Sequence, residues 1–217
     1  MCEQCHVVLV ECDLRDIDAL DMAANAIGGT LHVGQRTWRW VGAWYDDYHE
    51  KDAAYKQGLP PEQYGHGEHA ISFPRRLTSD GFEVGICKVK GQLKPVFDFC
   101  DGGLTRTLGG QTCPRLIQAY AAAVTRKQCA KLGYSITESP GEGGSLELTC
   151  TSYADGHKLI IAIDGAGVVK VHADGFQGSA CSLATTPFVQ ALGLPAGEEA
   201  LPEMYVAPPE IKEEVRQ

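Results

Sequence analysis

No stretch of this sequence approaches the roughly 20 consecutive apolar residues that a membrane-spanning helix requires, so no membrane partner is expected. There is no dense run of Lys or Arg either; the best candidate, Pro74-Arg75-Arg76, carries two charges. With a net charge of −9 and a pI of about 5.2, the chain is repelled by phosphate backbones. Nucleic acid and anionic membranes are therefore poor partners. The phosphate-loop, dinucleotide-binding, zinc-protease and nucleophile-elbow fingerprints are all missing. Met1-Cys2-Glu3-Gln4-Cys5-His6 has neither a positive n-region nor an apolar h-region. The expectation is a chain that stays in the cytoplasm, where it is made.

What is present is ordinary for a globular protein. Of 217 residues, 44% are hydrophobic and 22% charged, enough to bury a core as one large unit or two small ones. The nine cysteines are an odd number. In a reducing compartment they are expected mostly as thiols, several of them packed as small hydrophobes within apolar runs.

Hydrophobic periodicity predicts the elements. Residues 6–13 read as a strand, buried on both faces from Val7 to Val10. A helix follows, opened by Asp13 or Arg15-Asp16 and closed by Gly28-Gly29. Short strands are expected at 30–33, 69–73, 81–90 and 93–99, the last two turning at Gly91-Gln92. Residues 45–68 read as an inserted loop and 101–112 as a glycine-rich loop. A long helix runs from Pro114 to Leu132, with Thr112 or Cys113 as its cap and Gly133 as its stop. Two hairpins follow, at 134–151 and 157–172, the second turning on Asp164-Gly165-Ala166.

The stretch Gly175–Gly193 passes from glycine-rich backbone into a helical pattern, with Cys181 beside the turn. Pro187 would clash with the carbonyl of Leu183 inside a helix. The helix is therefore expected to start at Pro187, with Thr186 as N-cap, which leaves Cys181 in a loop or a preceding turn. From Pro195 the tail is rich in Pro and Glu and is expected to bury little on its own. The pattern as a whole predicts an α+β fold: a largely antiparallel sheet with packed helices, and a small ββα C-terminal unit. The expected units are 1–153, 154–194 and the acidic tail 195–217.

Four groups of residues bear on chemistry. Trp38, Trp40 and Trp44 share one parity, so in a strand they would line one face and could stack a planar ligand or anchor a protein. The competing reading is that the rings fill the core. Cys2, Cys5 and His6 supply three potential zinc ligands, though haem attachment through the same motif would require export. Cys12 would lie roughly 20 Å along the strand from His6, so a fourth ligand would have to be remote. His49, His66 and His69, with Asp46, Asp47 and Glu68, form a second potential metal cluster; the alternative is a solvated loop. Gly175 and Gly178 could present backbone N–H groups to an anion, and Cys181 is the one weak candidate for a catalytic thiol, with His157 and His172 in the adjacent hairpin.

Residues 155–193, with Asp-Gly at the strand turn and the Gly175-Phe176-x-Gly178-x-x-Cys181 element, resemble the DUF2997 family. Residues 5–153 resemble the Ycf35 or DUF1257 family. That likeness rests on His6, on Arg15-Asp16-x-x-Ala19-Leu20, on Gly81-Phe82-Glu83-Val84-Gly85-Ile86, on Asp98, and on Tyr120-Ala121 leading to Gly133-Tyr134. In those families the pieces are usually separate proteins encoded near an AAA-type ATPase, so the resemblance implies that the two parts touch here. It also implies a protein partner, an AAA-type ATPase being the candidate, and a binding or adaptor role without catalysis and with no cofactor. The alternative is a small-ligand or metal-binding protein using the tryptophan face or the Cys2/Cys5/His6 terminus.

Overall fold

The computed structural model describes residues 6–40, 57–78, 81–99, 101–176 and 179–200. The chain opens with strand β1 (His6–Cys12), helix α1 (Ile17–Ala26) and strand β2 (Thr30–Val33). Asp16 caps α1 by accepting a hydrogen bond from the Ala19 N–H at 3.1 Å. Strands β3 (His69–Ser72), β4 (Glu83–Val89) and β5 (Gln92–Val96) follow. Helix α2 (Gly102–Leu108) and the long helix α3 (Pro114–Leu132) come next. Strands β6 (Tyr134–Pro140), β7 (Leu146–Ser152), β8 (Lys158–Ile163) and β9 (Val169–Asp174) form a meander. Helix α4 (Ser179–Leu192) and strand β10 (Gly193–Ala200) close the described chain.

The fold is α+β, built on two antiparallel sheets. The larger has six strands in the order β10-β1-β9-β8-β7-β6, the smaller four in the order β2-β3-β4-β5. Helices α3 and α4 pack together on one face of the large sheet, and α1 lies against α3. Inward-facing Val8, Val10, Leu148, Cys150, Leu159, Ile161, Val169 and Val171 meet Leu116, Tyr120, Cys181 and Phe188 from the helices in one continuous core. The small sheet is covered on both faces. Ile71, Val84 and Ile86 join the main core, while Ala70, Cys87, Val89 and Val96 join a second cluster around Trp38.

Several expectations are corrected. β1 is not buried on both faces: Val8 and Val10 are buried, Val7 and Leu9 half-buried, so it alternates as a one-sided strand. Residues 102–108 are helical rather than loop. Asp101 accepts hydrogen bonds from the Gly103 and Leu104 N–H groups at 2.8 and 3.0 Å, and Leu104 and Leu108, one turn apart, are fully buried. The β4–β5 turn falls on Lys90-Gly91, both with positive φ, 49° and 87°, one residue before the expected pair. Such a two-residue turn matches the twist of its strands.

Pro187 lies inside α4 rather than at its start. The hydroxyls of Thr185 and Thr186 donate to the carbonyls of Cys181 and Ser182 at 3.0 and 2.6 Å, in the turn the proline interrupts. The chain from Gly193 onward forms β10, so the expected tail begins inside a strand. Strands of the two expected units also alternate in the large sheet: β1, from the N-terminal part, lies between β9 and β10.

Candidate functional site

Trp38 and Trp40 sit over the outer face of the small sheet. Trp38 is 4% exposed and Tyr64 6%; their rings meet edge-to-face at 4.8 Å, and Trp40 meets Tyr64 at 4.4 Å. The Tyr64 hydroxyl donates to the Phe97 carbonyl at 2.8 Å, which pins the ring to the chain beyond β5. Gly85 makes room for the indole: a Cβ there would stand 2.2 Å from Trp38 Nε1. That Nε1–H lies beside the Cys87 sulfur, a weak acceptor, and has no conventional partner. Trp38 is thus a core ring, while Trp40 is half-buried. The segment holding them is not a regular strand; it is tied down by a bridge between Thr37 and His66. Trp44 lies outside the described residues.

Among the described residues the cysteines and histidines do not gather into one site. Cys12, Cys87, Cys113, Cys129 and Cys150 are free and buried. Burial pushes the Cys12 and Cys87 thiols up to about 12, so neither is a ready nucleophile. Cys129 and Cys150 hydrogen-bond one another. Cys181 is fully buried on the first turn of α4 and is disulfide-bonded. It faces the helical side of the sheet, whereas His172 lies on the opposite face. His157 pairs with Asp155 at 3.2 Å and packs on Phe176. Gly175 has φ 84° and turns the chain out of β9; Gly178, Cys2 and Cys5 lie outside the described residues, and β1 begins at His6.

Of the second potential metal cluster, Glu68 pairs with Arg36, His69 Nδ1 accepts from the Gly34 N–H at 2.9 Å, and His66 is exposed. His49, Asp46 and Asp47 lie outside the described residues. Among the described residues no three His, Cys, Asp or Glu side chains converge as a metal site.

Two features went unread in the sequence. One is the corner where the sheets meet. Asp13 accepts from the Leu93 N–H at 2.8 Å, and Leu14 N–H donates to the Leu93 carbonyl at 3.0 Å. Lys94, its side chain 18% exposed, reaches the Cys12 carbonyl at 2.7 Å and Glu11 at 2.9 Å. A cleft of about 870 Å³ opens beside it, lined by Glu11, Lys90, Gln92, Lys94 and Gln111 among others. The sequence signal was a lysine flanked by Leu93 and Pro95 in a short strand.

The other feature is the face of the large sheet that none of the described helices covers. Across it, Val7 pairs with His172 and His172 with Ile160, while Leu9 and Ala162 flank Lys170. Val7, Leu9, Ile160, Ala162 and His172 are all half-buried. Burial holds the His172 imidazole below its usual value despite Asp174 and Glu147 nearby. The period-2 pattern of β8 and β9 held the signal, because alternate positions of a one-sided sheet must point away from its core.

The chain is thus an α+β protein whose large sheet has one face packed by helices and another that the described helices leave uncovered. Residues 159–205 match the family described as a protein of unknown function, DUF2997. The match runs from β8 through β10, past the Gly193 at which the sequence resemblance ended. No curated protein and no solved structure matches the chain.

Proposed function

We propose that this is a non-enzymatic cytoplasmic adaptor that binds a protein partner through the open face of its large sheet. The observation that carries the reading is the row Val7, His172, Ile160, with Leu9, Lys170 and Ala162 beside it: half-exposed apolar side chains around one histidine and one lysine, with Lys158 and Glu147 at their edge. A desolvated apolar centre with a charged rim is the anatomy of a protein interface. The buried, high-pKa thiols Cys12 and Cys87 support a non-catalytic role. None of the described helices is long and apolar enough to cross a membrane. The resemblance of residues 5–153 to Ycf35 or DUF1257 supplies the partner class, an AAA-type ATPase.

The test is affinity capture from the native host with the wild-type chain and with Ile160→Lys, which places a charge in the middle of the face. The expected result is an AAA-type ATPase recovered by the wild type and lost with the variant. Recovery of no specific partner, or equal recovery by both, overturns the reading.

A further inference from the structure

The order of strands in the large sheet has a consequence for how its two parts hold together. β1 runs antiparallel to β9 and also to β10. Strands β9 and β10 therefore run parallel to one another, joined by α4, with one strand's width between them. This is a split β-α-β unit, and the strand that fills the split comes from the other end of the chain. Val8 sits between Val171 and residue 198, Leu9 between Lys170 and Gly197, and Val10 between Val169 and Pro195. The fit is close at the end of the slot. Gly193 opens β10 so near to β1 that a Cβ would stand 2.0 Å from the Glu11 carbonyl oxygen. Asp13 N–H then donates to the Leu192 carbonyl at 3.0 Å, closing β1 onto the end of α4.

The family match begins at residue 159 and ends at 205. It contains the strands on both sides of the slot and the helix over it, but not the strand inside it.

We propose that the β8-β9-α4-β10 segment is a strand acceptor and that His6–Cys12 is its donor, a binding pair that will assemble in trans as well as within one chain. The partner's chemistry follows from the slot. It must be an extended segment with branched or small apolar side chains at alternate positions, here Val8, Val10 and Cys12, which face α4 and are 3%, 3% and 5% exposed. Its main chain supplies hydrogen bonds to both neighbours, the mode of strand addition, with a strand on each side instead of one. The proposal rests on strand order and is independent of the adaptor reading; the open sheet face plays no part in it.

The test uses the full chain with a protease-cleavable linker inserted after the exposed Arg15, folded first and then cut, in dithiothreitol so that no disulfide tethers the pieces. The N-terminal piece is then held by the slot and by its corner contacts with Leu93, Lys94 and Tyr120, and the inward and outward charges below isolate the slot's share. It is expected to remain bound on size exclusion and to be replaced by a labelled synthetic peptide of residues 6–14 at one per chain. A peptide carrying Val8→Asp and Val10→Asp, which would bury unpaired charge, is expected to compete at least roughly 100-fold more weakly. Leu9→Asp, on the half-exposed side, is expected to stay within about 10-fold of the native peptide.

Loss of the cut piece while the amides of β9 and β10 stay protected from hydrogen exchange overturns the proposal, as do equal effects of the inward and outward charges. Should the linker variant fail to fold, uncut Val8→Asp and Leu9→Asp chains are compared by hydrogen exchange. Selective loss of protection along β9 and β10 in Val8→Asp supports the proposal, and equal protection in the two overturns it.

Discussion

Replacing Tyr120 by Phe tests the joint on which both sheets turn. Tyr120 is fully buried in the middle of α3. Its hydroxyl donates to the Asp13 carbonyl at 2.7 Å and accepts from the Asp16 N–H at 3.1 Å, so one oxygen fixes the four-residue corner between β1 and α1. Burial raises the phenol's pKa above its usual value, which keeps the proton in place for the donated bond. Tyr120→Phe keeps the ring and removes both bonds. The Asp13 carbonyl retains the Arg15 N–H at 2.8 Å, but the half-buried Asp16 N–H loses its partner. One lost net bond and one unsatisfied donor together cost about 1.5–3 kcal/mol. For a chain of this size that is roughly a 3–10 °C fall in Tm. Urea unfolding at constant m-value gives the free energy, and hydrogen exchange locates the loosening at residues 13–20. A cost below about 0.5 kcal/mol, or exchange that rises uniformly over the chain, would refute the argument that this hydroxyl organises the corner.

Other expectations follow from single contacts. Gly85→Ala drives a methyl group into Trp38; a red-shifted tryptophan emission and a loss of about 1–3 kcal/mol are expected, and an unchanged spectrum would contradict the packing described. Lys94→Met removes the bonds to the Cys12 carbonyl and Glu11, with a cost of about 1–3 kcal/mol and faster exchange confined to β5 and the end of β1.

Burial works to raise the Asp16 carboxyl pKa, but the Lys127 ammonium and the Ala19 and Asp18 N–H groups outweigh it and hold the value below 3.8. A carboxylate shifted down contributes fully above its unfolded pKa and loses that contribution as pH falls through the folded value. The wild type's stability advantage over Asp16→Asn, which keeps the cap, should therefore be level above about pH 5 and shrink below about pH 4. Chain prepared and denatured without reductant should titrate at least two fewer thiols than its nine cysteines, because Cys181 is in a disulfide; nine titratable thiols would place that residue in the free set.

Local signals carried most of the elements. The caps of α1 and α3 are written in Asp16, Pro114 and Gly133, and the hairpin at Asp164 follows from a side chain that accepts from the Ala166 and Val168 N–H groups at 2.9 Å each. What failed to show was set by tertiary neighbours. Pro187 reads as a helix start because its local cost is high, yet α4 runs through it and buries Cys181, Thr185, Phe188 and Val189 from both sides of it, a packing no local signal announces. Glu and Pro after residue 193 read as tail, because an edge strand can carry both on its solvent side and its partner, β1, lies nearly the whole chain away. Trp38 and Trp40 were legible as a cluster. Whether they formed a surface or a core depended on Gly85 and Tyr64, residues that no period links to them.

The same long-range pairing explains why β1 has one register in the slot. A shift by one residue would turn Val7, Leu9 and Glu11 toward the helices and Val8, Val10 and Cys12 outward. Glu11 would then lose its pairing with Lys94 at 2.9 Å and bring an unpaired carboxylate into a core of Val169, Leu192 and Phe188, which costs several kcal/mol unless the group is neutralised. A shift by two would restore the parity but pull Asp13 away from the Leu192 carbonyl and from the Leu93 N–H, undoing the joint to both sheets at once. The β10 side tolerates the irregularity at Leu9/Val10, where Ala196 is left between the partners Gly197 and Pro195, as bulges at sheet edges commonly are. Register is thus enforced from the β9 side and from the corner, and β10 follows. In the peptide-exchange experiment, β9 amides should accordingly regain protection before those of β10.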